Sequence, residues 1–276
     1  MKIGNREFDT ANNVYLMGIL NVTPDSFSDG GRFNHIDAAM FHAEQMILAG
    51  TDILDIGGES TRPGYTPISV SEEINRVLPV LEKLKTNFDI PLSLDSYKSE
   101  VVQAAGQYID MVNDIWGFRY DKTHRMAEVT AKLNIPCCLM HNRKEHYYKD
   151  FWSDFMKDMR EILDIAQSAG IKQDNIILDG GVGFQKTYEE NLMVLNRTKD
   201  LCALGCPVMI AASNKSVVGL SIDKPVADRI FGTVATSVVG VMKGASFLRV
   251  HDIAANLDAI KMTKSIMEEA KWIPSI

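Results

Sequence analysis

The sequence predicts an α/β fold, a single (βα)8 TIM barrel with a short N-terminal extension. Short apolar or β-branched segments alternate eight times with longer amphipathic segments, which is the pattern of βα units around a parallel sheet. No linker rich in Pro, Gly or Ser and no change of composition divides the 276 residues. One barrel needs roughly 250 residues. We therefore expect one domain over residues 1–276 and favour a closed barrel over an open doubly wound sheet.

Eight strands and eight helices follow from this alternation. The predicted strands are Val14–Leu20, Ile53–Ile56, Pro91–Leu94, Met111–Val112, Pro136–Met140, Ile176–Leu178, Val208–Ala211 and Phe247–Val250. The predicted helices are Asp37–Ala49, Ser71–Phe88, Ser99–Gly106, Thr123–Leu133, Phe151–Ala169, Tyr188–Leu201, Val226–Lys243 and Ala254–Ala270. The first ten residues precede the first strand, and we expect them to form a small hairpin over the bottom of the barrel.

Composition excludes several classes of protein. The formal net charge of −7 argues against a nucleic-acid surface, which needs clustered Lys and Arg. No apolar segment approaches the roughly 20 residues that span a bilayer, and the N-terminal residues lack a signal core. We therefore expect a cytoplasmic protein without a membrane or nucleic-acid partner. Four cysteines are too few and too close together for a secreted disulfide framework, so packing is the expected role of Cys137, Cys138, Cys202 and Cys206.

Polar residues follow every predicted strand, and in a barrel these positions meet at the C-terminal rim. An isolated Asp or Asn after a strand more often caps a helix or forms a turn, and this alternative stays open for Asp55 and Asp114. The stronger set combines two carboxylates, an amide and an ammonium group, which together suit a flat heterocycle. Its members are Asp95, Asn113, Asp179 and Lys215.

Two glycine-rich loops predict an anion site beside that set. Residues 21–31 form a longer connection than a βα turn requires and suit a lid, whereas residues 57–64 bring backbone amides together with Thr61 and Arg62. Arg249 and His251 follow the last strand, which barrel closure places next to the first. This geometry favours a diphosphate. A hard Mg²⁺ ion would then take oxygen ligands such as Asn21 and Asp29.

The loops and strand ends together resemble the dihydropteroate synthases. The matching motifs are Asn21-Val-Thr-Pro-Asp-Ser-Phe-Ser-Asp-Gly-Gly31, Gly57-Gly-Glu-Ser-Thr-Arg-Pro-Gly64, Leu94-Asp-Ser, Asn113-Asp-Ile, Leu139-Met-His-Asn-Arg143 and Arg249-Val-His-Asp252. The resemblance covers nearly the whole chain. It implies a transferase that joins 6-hydroxymethyl-7,8-dihydropterin diphosphate to 4-aminobenzoate, giving 7,8-dihydropteroate and pyrophosphate in folate biosynthesis. It also suggests a homodimer that associates through barrel helices.

The resemblance implies a role for each predicted site residue. Asp95, Asn113, Asp179 and Lys215 are expected to bind the pterin. Asn21, Thr61, Arg62, Arg249 and His251 are expected to bind the diphosphate, with Mg²⁺ held by Asn21 and Asp29. Phe27, Pro63 and Ser216 are expected to contact the aminobenzoate, together with Lys215. Lys215, Arg249 and Asp95 are the expected catalytic residues.

Two positions depart from the family pattern. Gly180 stands where the family usually has proline after strand six, and Asn214 stands where it usually has arginine before Lys215. Loss of a planar guanidinium is not conservative. Two alternatives therefore remain: a pterin-binding paralogue without synthase activity, and a methyltetrahydrofolate methyltransferase. The methyltransferase has no use for a diphosphate site, so Arg62, Arg249 and His251 count against it.

Overall fold

The computed structural model describes residues 1–23, 32–60 and 66–269, and it contains a closed barrel of eight parallel strands. A two-stranded antiparallel hairpin precedes the barrel, with β1 at Lys2–Ile3 and β2 at Arg6–Glu7. The barrel strands are β3 Tyr15–Asn21, β4 Ile53–Gly57, β5 Leu92–Asp95, β6 Met111–Asp114, β7 Cys137–Met140, β8 Ile176–Asp179, β9 Val208–Ile210 and β10 Phe247–Val250. Strands β3 to β10 follow one another around the barrel, and β10 pairs with β3. The predicted fold is confirmed.

Ten α-helices lie in the described part of the chain. They are α1 Arg32–Leu48, α2 Val70–Asn87, α3 Ser99–Ala105, α4 Arg125–Leu133, α5 Phe151–Ser168, α6 Tyr188–Asn196, α7 Thr198–Cys202, α8 Ser216–Ile222, α9 Ile230–Met242 and α10 Ile253–Met267. Within the described residues, no helix has the length and apolar character needed to cross a membrane.

The helices differ from the prediction at four places, and the first is α1, which begins at Arg32 rather than at Asp37. The single helix predicted over 188–201 is divided at Arg197, because the Thr198 hydroxyl donates to the carbonyl oxygens of Val194 and Leu195 and competes with the regular helical bonds. The short helix α8 was not predicted. The helix predicted from Val226 begins at Ile230, because a 3₁₀ turn follows Pro225.

The hairpin covers the N-terminal end of the barrel, as predicted. Ile3 and Phe8 are buried with Met17 and Phe247. The ring of Phe8 lies 4.7 Å from that of Tyr15 and 6.1 Å from that of Phe247. Burial of each such side chain contributes about 1.5–3 kcal/mol. This end of the barrel is therefore packed, and the opposite end is left to carry a site.

The cysteines contribute to packing, as predicted. Cys137, Cys138 and Cys206 are buried and Cys202 is partly buried, and all four are free thiols. Burial raises the pKa of the Cys206 thiol to about 11, so the nucleophilic thiolate is suppressed at neutral pH.

Candidate active site

A cavity of about 320 Å³ opens at the carboxyl ends of the barrel strands. Eight of the predicted site residues line it: Asn21, Asp95, Asn113, Asp179, Lys215, Ser216, Arg249 and His251. The other five predicted residues lie outside the described part of the chain: Phe27, Asp29, Thr61, Arg62 and Pro63. The barrel therefore brings together residues that are far apart in the sequence.

Strand register places four positions of the site at one level around the barrel. Asn21 pairs with Gly57, Gly57 with Asp95, and Asp95 with Asn113. Gly57 leaves room between its neighbours, since a Cβ atom there would lie 3.3 Å from Asn21 Oδ1 and 3.7 Å from Asp95 Oδ2. The absence of a side chain at Gly57 thus lets the Asn21 amide and the Asp95 carboxylate face the same space.

Arg249 links two carboxylates on the cavity floor. Its Nε donates to Asp55 Oδ2 at 2.6 Å, and one terminal nitrogen donates to Asp95 Oδ2 at 2.6 Å. Asn113 Nδ2 also donates to Asp55 Oδ2, at 2.9 Å. Asp55 is fully buried, and it holds both Arg249 and Asn113. The alternative of a turn former is therefore wrong for Asp55.

Burial and neighbouring charges shift the pKa values of both Asp95 and Arg249 in this cluster. Burial raises the pKa of Asp95 to about 7, although the charge of Arg249 lowers it and the nearby Asp55 contributes to the rise. Burial alone would lower the pKa of Arg249, but Asp55 and Asp95 raise it above its ordinary value. Arg249 stays charged, whereas Asp95 titrates close to neutral pH, as groups in active sites often do.

Asp179 and Lys215 form the opposite wall. Asp179 Oδ1 accepts a hydrogen bond from the Gly181 amide at 2.8 Å, and burial raises the pKa of Asp179 while Lys215 opposes this. Lys215 Nζ donates to the Val182 carbonyl at 2.6 Å and lies 4.8 Å from the centre of the Phe184 ring. Burial lowers the pKa of Lys215 to about 8, so its ammonium group can donate at neutral pH and loses its proton more readily than an exposed lysine does.

The segment after β9 carries the second departure from the family pattern. Asn214 has a φ of 57°, a left-handed conformation that Asn adopts more readily than most residues. Its carbonyl oxygen accepts a hydrogen bond from the Arg229 guanidinium at 2.9 Å. Arg229 lines the cavity beside Ser216, so a guanidinium group remains at this rim. His251 Nδ1 lies 2.9 Å from Ser213 Oγ, which joins the ends of β9 and β10.

Gly180, the first departure, is explained by packing. Its φ is not positive, but a Cβ atom there would lie 2.4 Å from Val194 Cγ1. Val194 of α6 occupies the volume that a larger residue would need.

Asp114 is a turn former, as the alternative interpretation allowed. Its carboxylate accepts hydrogen bonds from the Trp116 and Phe118 amides, both at 2.8 Å.

A buried ion cluster ties the chain on both sides of residues 61–65. Lys98 Nζ donates to Glu59 Oε2 and Glu73 Oε2, both at 2.7 Å, and to the Ile68 carbonyl at 2.8 Å. Glu59 Oε2 also accepts a hydrogen bond from the Ile68 amide at 2.8 Å. Glu59 and Ile68 are thereby held together, which fixes where the loop predicted to carry Thr61 and Arg62 leaves and rejoins the barrel.

Within residues 1–23, 32–60 and 66–269, no group of three His, Cys, Asp or Glu side chains could hold a metal ion. An oxygen donor is nevertheless present, because the Asn21 amide lines the cavity. Mg²⁺ commonly takes only one or two protein ligands and completes its shell with water and substrate phosphate oxygens. The Asn21 amide oxygen fits this mode of binding, in which the protein supplies few of the ligands.

Sequence reasoning missed four residues of the site. Arg229 and Phe184 lie within segments between strands, where no periodic signal singled them out. Glu59 lies in the second loop. It lines the cavity and also belongs to the ion cluster with Lys98. Asp55 had a usable signal. It precedes Gly57 by two positions in a strand, and alternate residues of a strand share a face, so both face the barrel interior.

The comparisons with known proteins agree with this geometry. The family described as "Pterin binding enzyme" matches residues 17–251. Dihydropteroate synthase of Clostridium beijerinckii is 52% identical over 97% of this chain and 99% of its own length, and that of Bacillus subtilis is 45% identical over 92% and 89%.

Solved structures agree as well. A dihydropteroate synthase from Clostridium difficile, determined in the presence of pteroic acid, has a TM-score of 0.91 and 45% identity, covering 94% of this chain and 99% of that one. One from Xanthomonas albilineans with 4-aminobenzoic acid has a TM-score of 0.88 and 38% identity, covering 93% and 94%.

Proposed function

The chain belongs to the dihydropteroate synthases of the pterin-binding enzyme family, and we propose that its cavity binds the two substrates of that reaction side by side. The enzyme is a transferase of folate biosynthesis that joins 6-hydroxymethyl-7,8-dihydropterin diphosphate to 4-aminobenzoate, with release of pyrophosphate. The predicted family and activity are confirmed. The division of the cavity among its residues is the proposal developed below.

The pterin would lie between the two polar walls. Asp179 and Asp95 supply carboxylate acceptors for ring N–H groups, Asn113 supplies an amide, and Lys215 donates to a ring carbonyl. Phe184 and Met140 offer apolar surface to the flat ring. A polar perimeter with apolar faces suits a heterocycle that carries several donors and acceptors.

The diphosphate would lie at the Asn21, Arg249 and His251 side. The Arg249 guanidinium lines the cavity and can donate a charge-assisted hydrogen bond to a phosphate oxygen, and Arg62 and Thr61 are expected to approach from the second loop. A bound Mg²⁺, held by Asn21 with Asp29 as the further expected ligand, would neutralise charge on the departing pyrophosphate.

The aminobenzoate would lie over Lys215 and Ser216, with Phe27 and Pro63 as its expected apolar contacts. Its carboxylate needs a cation, and Arg229 lines the same rim. We therefore propose that Arg229, which the Asn214 carbonyl anchors, supplies charge that arginine at position 214 would otherwise provide.

The chemistry follows from where charge develops. As the pterin C–O bond breaks, negative charge grows on the leaving pyrophosphate, and Arg249 and His251 stabilise that charge. The carbocation left on the pterin is conjugated with its ring and stabilised by the nearby carboxylates. The neutral amine of 4-aminobenzoate then attacks and loses a proton. No covalent enzyme intermediate is required, so no protein nucleophile is proposed.

The observation that carries this proposal is one cavity with Asp179, Asn113 and Lys215 on one side and Asn21, Arg249 and His251 on the other. The test is pyrophosphate release from pterin diphosphate and Mg²⁺, with and without 4-aminobenzoate. We expect release that depends on both substrates, loss of activity in Lys215→Met, and retention in the exposed control Lys224→Met. Release that ignores 4-aminobenzoate would contradict the proposal.

We further propose that the enzyme is a homodimer that associates through α9 and α10. Helix α9 lies on the outside of the barrel, yet none of its 13 residues is charged. Its outer face presents Phe231, Val239 and Met242, and the adjacent α10 presents Met262 and Ile266, all of them exposed. Contiguous apolar surface of this kind marks interfaces, and a self-complementary patch suits a two-fold dimer.

Sedimentation velocity tests the dimer. Phe231 is 83% exposed, so Phe231→Lys should fold normally and sediment as a monomer. Phe41→Lys is the matched control, because Phe41 is a 64% exposed phenylalanine on α1. A monomeric wild type, or equal behaviour of the two variants, would remove the basis for this interface.

A further inference from the structure

Lys186 has an unusual set of partners for a lysine next to a substrate cavity. Its ammonium group donates to the Gly181 carbonyl at 2.9 Å, to the Phe184 carbonyl at 3.0 Å and to His141 Nδ1 at 3.0 Å, with a longer contact of 3.4 Å to the His141 carbonyl. Burial lowers the pKa of Lys186 to about 7, and the positive charge of Lys215 acts in the same direction. These contacts join two loops at the cavity rim.

His141 can accept the hydrogen bond from Lys186 because of its own environment. Burial, together with the charge of Lys186, lowers the pKa of His141 to about 3, so the ring is neutral. Its Nε2 lies 3.0 Å from Asp158 Oδ2, so Nε2 carries the proton and Nδ1 offers a lone pair. Arg143 Nε donates to the same carboxylate oxygen at 2.6 Å. The chain Lys186–His141–Asp158–Arg143 therefore alternates donors and acceptors correctly.

The backbone that Lys186 holds is the turn of residues 181–184. The backbone at Gly181 passes very close to the loop that carries His141, since a Cβ atom on Gly181 would lie 2.0 Å from the His141 carbonyl oxygen. Each part of the turn also contacts the proposed pterin pocket. The Gly181 amide donates to Asp179, the Val182 carbonyl accepts from Lys215, and the Phe184 ring lies under the Lys215 ammonium group.

The turn lacks the local stiffening of the family pattern. The preceding position is Gly180, so no proline ring restricts the backbone between Asp179 and the turn. Three hydrogen bonds from the Lys186 ammonium group restrain the turn by tertiary contact, two to turn carbonyls and one to His141. Charge-assisted bonds of this type are stronger than neutral ones.

We propose that Lys186 is a positioning residue for the pterin pocket: its ammonium group, with His141 as partner, fixes the turn of residues 181–184 and so the geometry of Asp179, Lys215 and Phe184. The inference rests on the proposed pterin site. It concerns the Asp179 and Lys215 side of the cavity, because Arg249 on the other side is held by Asp55 and Asp95.

The test compares Lys186→Met, which keeps the length of the side chain and removes the ammonium group, with Lys157→Met on the exposed face of α5 as control. Calorimetric titration measures binding of a free 6-hydroxymethylpterin and, separately, of pyrophosphate with Mg²⁺. We expect Lys186→Met to weaken pterin binding by about ten-fold or more, equivalent to about 1.4 kcal/mol, and to change pyrophosphate binding by less than about two-fold. The control should change neither.

His141→Gln provides a second variant that keeps the Lys186 bonds to the Gly181 and Phe184 carbonyls. We expect a smaller loss of pterin affinity in this variant, and a double variant that is less than additive, because both changes act on one contact. Equal losses for the two ligands in Lys186→Met, unchanged pterin affinity, or full additivity would each overturn the proposal. Should Lys186→Met not fold, His141→Gln with unchanged pterin affinity would overturn it.

The proposed function fails separately. Wild-type enzyme that binds pterin but releases no pyrophosphate with 4-aminobenzoate would contradict the synthase chemistry, whereas the ratio of variant to wild-type pterin affinity would still decide the role of Lys186.

Discussion

Replacement of Asp95 by Asn is expected to gain stability relative to the wild type as the pH rises from 4 to 8, while it removes pterin binding. The Asp95 side chain is 10% exposed, and burial raises its pKa from 3.8 to about 7. The unfolded chain therefore releases this proton at a lower pH than the folded protein does. Stability that is present below pH 4 is lost as the pH rises to 7 and stays lost above it.

The size of the effect follows from the shift. A rise of about 3 units at about 1.4 kcal/mol per unit is worth about 4 kcal/mol. Asn cannot ionise, so the free energy of unfolding of Asp95→Asn, minus that of the wild type, should increase by about 4 kcal/mol between pH 4 and pH 8. Taking this difference cancels titrations that both proteins share.

Urea denaturation followed by tryptophan fluorescence at several pH values measures this difference. Asp258→Asn on the exposed side of α10 is the control, and its difference from the wild type should stay flat. Pterin titration at pH 8 should show loss of binding to Asp95→Asn alone. A stability difference that is independent of pH, or that falls as pH rises, would refute the argument that burial destabilises the Asp95 carboxylate.

Substitutions at Arg249, Gly180 and Asn214 test the remaining features. Arg249→Ala should weaken pyrophosphate binding much more than free pterin binding in calorimetric titration, and equal losses would contradict its diphosphate role. Gly180→Ala should lower the free energy of unfolding by about 1–3 kcal/mol, because its Cβ would lie 2.4 Å from Val194; Val194→Ala should relieve part of this cost in denaturation experiments. Asn214→Gly should be nearly neutral and Asn214→Arg should cost about 1 kcal/mol, because φ is 57° there; equal stabilities would show that the left-handed backbone is not decisive.

The hydrophobic periodicity of the sequence was sufficient for the barrel. All eight barrel strands were predicted to within two residues at either end. Strands that are buried on both faces have continuous apolar runs, which stand out in the sequence between the amphipathic helical segments. Helix α8 was not visible in the same way. Its seven residues, Ser216–Ile222, mix β-branched side chains with Gly219, so the helix depends on its surroundings more than on propensity.

Much of the site could also be predicted from the same pattern. Asp95, Asn113, Asp179, Lys215 and Arg249 could be found from the sequence, since polar residues that end apolar strands must meet at one rim of a closed barrel.

The barrel, the family and the residues at its rim could be inferred from the chain alone, because these depend on local pattern and on motifs that are contiguous in the chain. The folded structure was needed to show which carboxylates Arg249 meets, that Asp55 is buried beneath the site, and that Lys186 joins two loops. These contacts connect residues from 45 to 194 positions apart. Hydrogen-bond geometry and burial arise only when such segments pack together, so the pKa of Asp95 and the partners of Lys186 could not be derived before the fold was known.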